Sequence, residues 1–139
     1  YGLIGYDANA VEPGKRMLSS MTPTFLESER GFVILGTPGG SRIISMILLA
    51  TLEWINGGDA KSMVSLPRFH HQYHPDYVLY EEEAFMSSEI DELESMGHTF
   101  KKSNRQFGNM QIIMWEHENN KIEIASDPRG KEKSREEVY

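Results

Sequence analysis

The 139-residue, 15.9 kDa chain is the size of one domain, and its 39% hydrophobic content suffices for a packed core. With 21 acidic against 14 basic side chains it carries a formal net charge of −7, and its basic residues are scattered along the sequence, which argues against a nucleic-acid surface. It has no cysteine, which excludes disulfides, thiolate catalysis and cysteine-ligated zinc. Its longest apolar stretch, Ile43 to Leu52, is broken by Ser45 and Thr51 and is shorter than the roughly 20 residues a membrane span needs.

Taken in order, Tyr1 to Leu18 is rich in Gly, Asn, Asp and Pro and reads as a loop. Two strands follow, at Thr24–Glu27 and Gly31–Leu35, joined by the polar turn Ser28-Glu29-Arg30. Ser41 to Asn56 is expected to be a helix that is apolar almost all round, so it must be covered on several sides. Gly57-Gly58 ends it, and Asp59 has the character of an N-cap for a short helix from Ala60 to Val64. Val78–Tyr80 is a short strand. Ser87 or Ser88 is expected to cap a helix running to Met96, with Glu89, Asp91 and Glu92 at its positive end and Gly97 as its stop. Strands at Thr99–Lys101, Met110–Glu116 and Lys121–Ala125 complete the pattern, the last two joined as a hairpin through His117–Asn120. Strands at both ends around central helices make the fold class α+β.

Several groups have chemistry to offer. Pro38-Gly39-Gly40-Ser41-Arg42 lies between a buried strand and a helix, where a backbone without Cβ atoms can approach a ligand closely. Free N–H groups at such a corner suit an anion or a developing oxyanion. Ser19-Ser20 offers two neighbouring hydroxyl donors, which suits a carboxylate; a turn or capping pair is the alternative. Among His70, His71 and His74, with Asp76 nearby, the adjacent His70 and His71 point to opposite faces at strand spacing and cannot easily share one ion, and no metal site is expected. Glu81-Glu82-Glu83 reads as a solvated face or helix approach, Asp127-Pro128-Arg129 as a turn held by an ion pair, and the eight methionines as core filler.

Four blocks in this order resemble the small subunit of the gamma-glutamyltransferases (gamma-glutamyltranspeptidases), members of the N-terminal-nucleophile hydrolase superfamily. They are Lys15 to Thr24, the Pro38–Arg42 corner, Pro67-Arg68-Phe69-His70-His71-Gln72, and Ala125-Ser126-Asp127-Pro128-Arg129. The resemblance runs from about Tyr1 to Tyr139 and identifies the chain with the C-terminal part of that subunit. It implies an αββα sandwich of which this chain forms part: a loop over residues 1–18 with part of a lid, the sandwich portion over 19–128, and a charged tail over 129–139. Met17 and Thr37 depart from the proline and serine common at these positions, and neither change removes an expected donor.

By this resemblance the N–H groups of Gly39 and Gly40 form the oxyanion hole, Ser19 and Ser20 bind the α-carboxylate of the gamma-glutamyl group, and Tyr1 belongs to the lid. Arg68, Asp127 and Arg129 are structural. The complete two-subunit protein is then expected to cleave glutathione-like gamma-glutamyl donors and pass the acyl group to an amino acid, a peptide or water, without metal or organic cofactor. The family nucleophile is an N-terminal threonine freed by self-cleavage of a precursor. Tyr1 cannot replace it, so the 139-residue chain alone is expected to be inactive. The large subunit is the expected partner, supplying an arginine to the substrate carboxylate, and the periplasm or cell exterior is the expected location. Glutaryl-cephalosporin acylase and polyglutamate transpeptidase activities are the alternatives within the family. A nucleophile-free remnant acting as a binding module is the alternative outside it.

Overall fold

The computed structural model describes residues 7–17, 19–131 and 133–134. Two strands, β1 (Thr24–Ser28) and β2 (Gly31–Gly36), form a tight hairpin. A 3-10 turn at Gly40–Arg42 leads into helix α1 (Ile43–Ile55), which is followed by α2 (Ala60–Ser65). Then come β3 (Phe69–His70), β4 (Val78–Tyr80), α3 (Ser87–Ser95) and β5 (Phe100–Lys102). The hairpin β6 (Gln111–Glu116) and β7 (Lys121–Ser126) closes the described fold. The class is α+β, as the sequence pattern requires.

The main sheet is antiparallel in the order β1-β2-β6-β7. Its register pairs Val33 with Met114 and Leu35 with Ile112, which is paired in turn with Ala125, so these side chains share one face. That face is buried against α1 and α2, through Ile43, Met46, Ile47, Ala50 and Trp54 of the first helix and Ala60, Met63 and Val64 of the second. A second sheet, β3-β4-β5, pairs β4 with β3 antiparallel and with β5 parallel. Its aromatic cluster of Phe69, Tyr80, Phe85 and Phe100 has ring centroids 4.9 to 5.9 Å apart.

Local chemistry explains the element ends. Gly57, at φ 93°, takes the left-handed turn after α1 that an L side chain resists. Arg30, in the β1–β2 turn, reaches the same helix end, donating to Trp54 O at 2.7 Å and Gly58 O at 2.8 Å while pairing with Glu116 at 3.2 Å. Its positive charge therefore sits at the negative end of the helix. Asp59 caps α2 as expected, accepting from Ser62 N at 2.7 Å.

Four expectations are corrected. Helix α1 begins at Ile43 and not at Ser41, because Gly40–Arg42 forms a 3-10 turn ahead of it. Helix α3 has Met86, not a serine, at its N-cap, and Glu89 accepts from Met86 N at 2.7 Å instead. Glu81 is not on a solvated face: it is 4% exposed and accepts from Arg68 N, Phe107 N and the Arg129 guanidinium. The methionines divide, with Met46, Met63, Met110 and Met114 in the core and Met17, Met21, Met86 and Met96 exposed.

Candidate active site

Strand β2 ends at Gly36, and the chain turns through Thr37-Pro38-Gly39-Gly40 before α1 begins. Gly39 has φ 157° and Gly40 φ 60°, conformations open to glycine and strained for other residues. A Cβ at Gly39 would also lie 2.5 Å from the Met46 methyl group. Arg42 N donates to Gly39 O at 3.3 Å, which tightens the corner. The corner therefore presents backbone at the start of a 13-residue helix, where orphan N–H groups and the helix dipole favour negative charge.

A cavity of about 600 Å³ opens on this corner. Gly39 and Gly40 line it together with Ser20, Thr37, Asn109 and Gln111. Ser20 and Ser19 both lie in the exposed segment before β1, and only Ser20 lines the cavity. Tyr1 lies outside the described residues. The polar side of the cavity is ordered by long-range contacts: Asn109 N donates to Thr37 Oγ1 at 3.1 Å, and Gln111 Nε2 donates to Asn109 Oδ1 at 3.0 Å. Nothing in the sequence pattern singles out Thr37, Asn109 or Gln111. Gln111 as the polar start of an otherwise apolar strand is the one signal that could have done so.

Behind the cavity lies a buried cluster of four charges. Arg68, 2% exposed, pairs with Asp127 at 2.5 Å and donates to Phe107 O at 2.6 Å and Val64 O at 3.1 Å. Arg129 pairs with Glu81 at 2.6 Å and Asp127 at 3.1 Å, and donates to Leu66 O at 2.8 Å. Glu81 accepts further from Arg68 N at 3.1 Å and Phe107 N at 2.8 Å, and Asp127 accepts from Met110 N at 2.8 Å. Two guanidiniums against two carboxylates leave the cluster neutral, with most donors and acceptors satisfied, the condition under which buried charges persist.

Burial, opposed by the Met110 and Arg129 N–H groups and by Arg68, leaves the Asp127 carboxyl below its ordinary value. Burial and the neighbouring Arg129 charge lower Arg68. Arg129 is raised: its burial is outweighed by hydrogen bonds to Glu81 and Asp127. Because Arg68 precedes β3, Glu81 follows β4 and Asp127 follows β7, the cluster ties the two sheets together. It also reaches the site. A Cβ at Gly108 would collide with the Arg68 guanidinium and Met46 and press on Thr37 Oγ1, so the 107–109 backbone is wedged between the charge cluster and the Gly-Gly corner.

The histidines take other roles. His70 is buried, with Nδ1 2.8 Å from Ser45 Oγ and Nε2 2.9 Å from Gln72 Oε1, whereas the more exposed His71 pairs with Asp76 at 2.8 Å. Among the described residues no group of three or more His, Cys, Asp or Glu side chains is placed to hold a metal ion. No helix among them is long and apolar enough to cross a membrane.

Comparison with known proteins places this geometry. The family model for gamma-glutamyltranspeptidase matches residues 2–136. The glutathione hydrolase proenzyme of Pseudomonas aeruginosa is 37% identical over 135 residues, covering 94% of this chain and 24% of the relative. That of Escherichia coli is 40% identical over 131 residues, covering 93% and 22%. Among solved structures, an acivicin-inhibited gamma-glutamyltranspeptidase superposes with a TM-score of 0.83 at 34% identity, over 94% of this chain and 71% of that one. The chain thus spans about a quarter of the length of the curated relatives it matches.

Proposed function

The chain belongs to the gamma-glutamyltranspeptidase family, and from that premise we propose that it supplies part of an acyl-transfer site acting on gamma-glutamyl compounds. The fold is the corresponding portion of the N-terminal-nucleophile hydrolase sandwich. The observation that carries the proposal is that Ser20 and the Gly39–Gly40 corner line one and the same cavity. The two ends of a gamma-glutamyl group need these two kinds of partner: hydroxyl donors for the α-carboxylate, and backbone donors for the oxygen of the reacting carbonyl.

In the complete protein, a threonine hydroxyl attacks the gamma-amide carbonyl. Charge moves onto the carbonyl oxygen, and Gly39 and Gly40 N–H groups take it up. Collapse of this adduct breaks the C–N bond, the amine leaves with a proton, and an ester remains on the threonine. Water or an acceptor amine then attacks the ester, passes a proton back to the threonine oxygen and releases glutamate or a new gamma-glutamyl amide. Ser19 and Ser20 hold the carboxylate throughout, with Ser20 the larger contributor because it lines the cavity. The remaining subunit of the precursor, with the substrate-pairing arginine, completes the site, and a glutathione-like donor in the periplasm or outside the cell is the substrate.

The test is turnover of a gamma-glutamyl anilide by the complete two-subunit protein and by its Ser20→Ala variant. Loss of one charge-assisted hydrogen bond, worth about 1.5–3 kcal/mol, raises the donor KM by roughly 10- to 100-fold with kcat largely kept. Absence of turnover in the complete wild-type protein, or an unchanged KM in the variant, overturns the proposal.

A further inference from the structure

A second cavity, of about 590 Å³, adjoins the first and shares Pro38 and Gly39 with it. Its wall carries Arg42, Lys101, Lys102 and Arg105, and no aspartate or glutamate lines it among the described residues. This runs against the composition of a chain with 21 acidic and 14 basic side chains. Lys102 is neutralised by Glu82 at 2.7 Å. Arg42, Lys101 and Arg105 have no carboxylate partner among the described residues.

Two of these cations are held in place without being neutralised. The Arg42 guanidinium lies 4.9 Å from the Phe107 ring centroid, and Lys101 Nζ lies 5.1 Å from that of Tyr77. Both rings belong to the same cavity wall. A ring face orients a cation through its quadrupole and leaves the net charge available. Positive charges gathered in a concavity focus their field into it, and the volume is that of a small-molecule site. Arginine and lysine heads so presented are the usual recognition chemistry for carboxylates.

We propose that this cavity is a subsite for a carboxylate-bearing amine, an acidic amino acid or short acidic peptide, acting as acyl acceptor beside the Gly39–Gly40 corner. The proposal rests on the acyl-transfer reading above and adds the acceptor class. An acceptor held there by its carboxylates is a neighbour of the acyl ester across Pro38 and Gly39. Its amine nitrogen forms the new C–N bond as the ester C–O bond breaks, and the amine proton passes to the freed threonine oxygen.

The experiment uses the complete two-subunit protein with Lys101→Glu/Arg105→Glu and Lys101→Gln/Arg105→Gln variants, each checked for assembly. Hydrolysis of a gamma-glutamyl anilide tests the acyl-transfer reading. Transfer to an acidic dipeptide, relative to the same dipeptide with its carboxylates amidated, tests the subsite. The wild type is expected to prefer the acidic acceptor, the more so at low salt. The glutamate variant should lose this preference by roughly fivefold or more, the glutamine variant by less, with hydrolysis unchanged.

An acceptor ratio that is the same in wild type and variants overturns the subsite while leaving the hydrolytic reading intact. Calorimetric binding of the acidic dipeptide to wild type and variants decides the subsite even where no hydrolysis occurs, and equal affinity for all three overturns it. Failure of the glutamine variant to assemble also overturns it, since the cations would then be holding an acidic segment of the rest of the protein.

Discussion

At the scale of single residues, the site depends on backbone geometry that only certain residue types permit. Gly40 at φ 60° can become alanine only with strain, and any shift of its N–H would disturb the donor proposed for the developing oxyanion. In the complete enzyme, Gly40→Ala is expected to lower kcat by roughly 10²–10³-fold with a smaller change in donor KM, measured by steady-state kinetics beside a folding check by circular dichroism. The buried charges make a different demand. Asp127→Asn leaves Arg68 and Arg129 facing a weaker partner, and breaking such a buried pair costs about 3–5 kcal/mol of stability, readable by denaturant unfolding. The Asp127 carboxyl is lowered in the folded state, so its contribution is present above the ordinary value of 3.8 and is lost as the pH falls below it. The acid limb of the stability curve should therefore be shallower in Asp127→Asn; an identical limb would contradict the assignment. The Gly39–Gly40 corner and the Asp127–Arg129 ion pair were legible in the sequence because they follow from residue type and close neighbours, whereas Ser20 was singled out by the family resemblance, its residue type alone fitting a turn or capping pair. Thr37, Asn109 and Glu81 were not, because each acts through a partner at least a dozen residues away: Asn109 N for Thr37, and Arg68 N and Arg129 for Glu81.

At the scale of elements, the main sheet has two apolar faces and the described residues cover one. The open face carries Phe25, Ile34, Ile113, Trp115 and Ile122, with Phe25 63% and Ile113 51% exposed. Helix α1 likewise leaves Ile44, Leu48, Leu52 and Ile55 exposed along one stripe. The sequence announced this in Phe32-Val33-Ile34-Leu35, an unbroken apolar run where a half-solvated strand would alternate, and in a helix without a polar face. These surfaces fit a sheet of a layered sandwich awaiting its second layer. Ile113→Asp should accordingly act with opposite signs in two settings. In the isolated 139-residue chain it should reduce dye binding and concentration-dependent association. In the complete protein it should destabilise by at least the roughly 1.5–3 kcal/mol of a buried aliphatic side chain. A neutral effect in the complete protein would show that this face stays open. Element positions were readable to within about two residues because caps and stops are local signals. In the second sheet β4 and β5 were readable to within one residue, whereas β3 was not, since a strand of two residues carries too little periodicity.

At the scale of the whole molecule, the neutral Arg68–Asp127–Glu81–Arg129 cluster joins the ends of β4 and β7 to the approach of β3. Through Phe107 and Gly108 it braces the corner on which the chemistry is proposed to take place. The chain spans about a quarter of the length of its curated relatives, and in the proposed function it supplies one wall of a site that the rest of the protein completes. The most direct test is a crystal structure of the complete enzyme trapped as its gamma-glutamyl ester, at a resolution that fixes the acyl oxygen. The account predicts that oxygen within about 2.7–3.1 Å of the Gly39 and Gly40 nitrogens, with the α-carboxylate on Ser20 Oγ. An acyl oxygen held by other donors, with the Gly39–Gly40 corner empty, would contradict it.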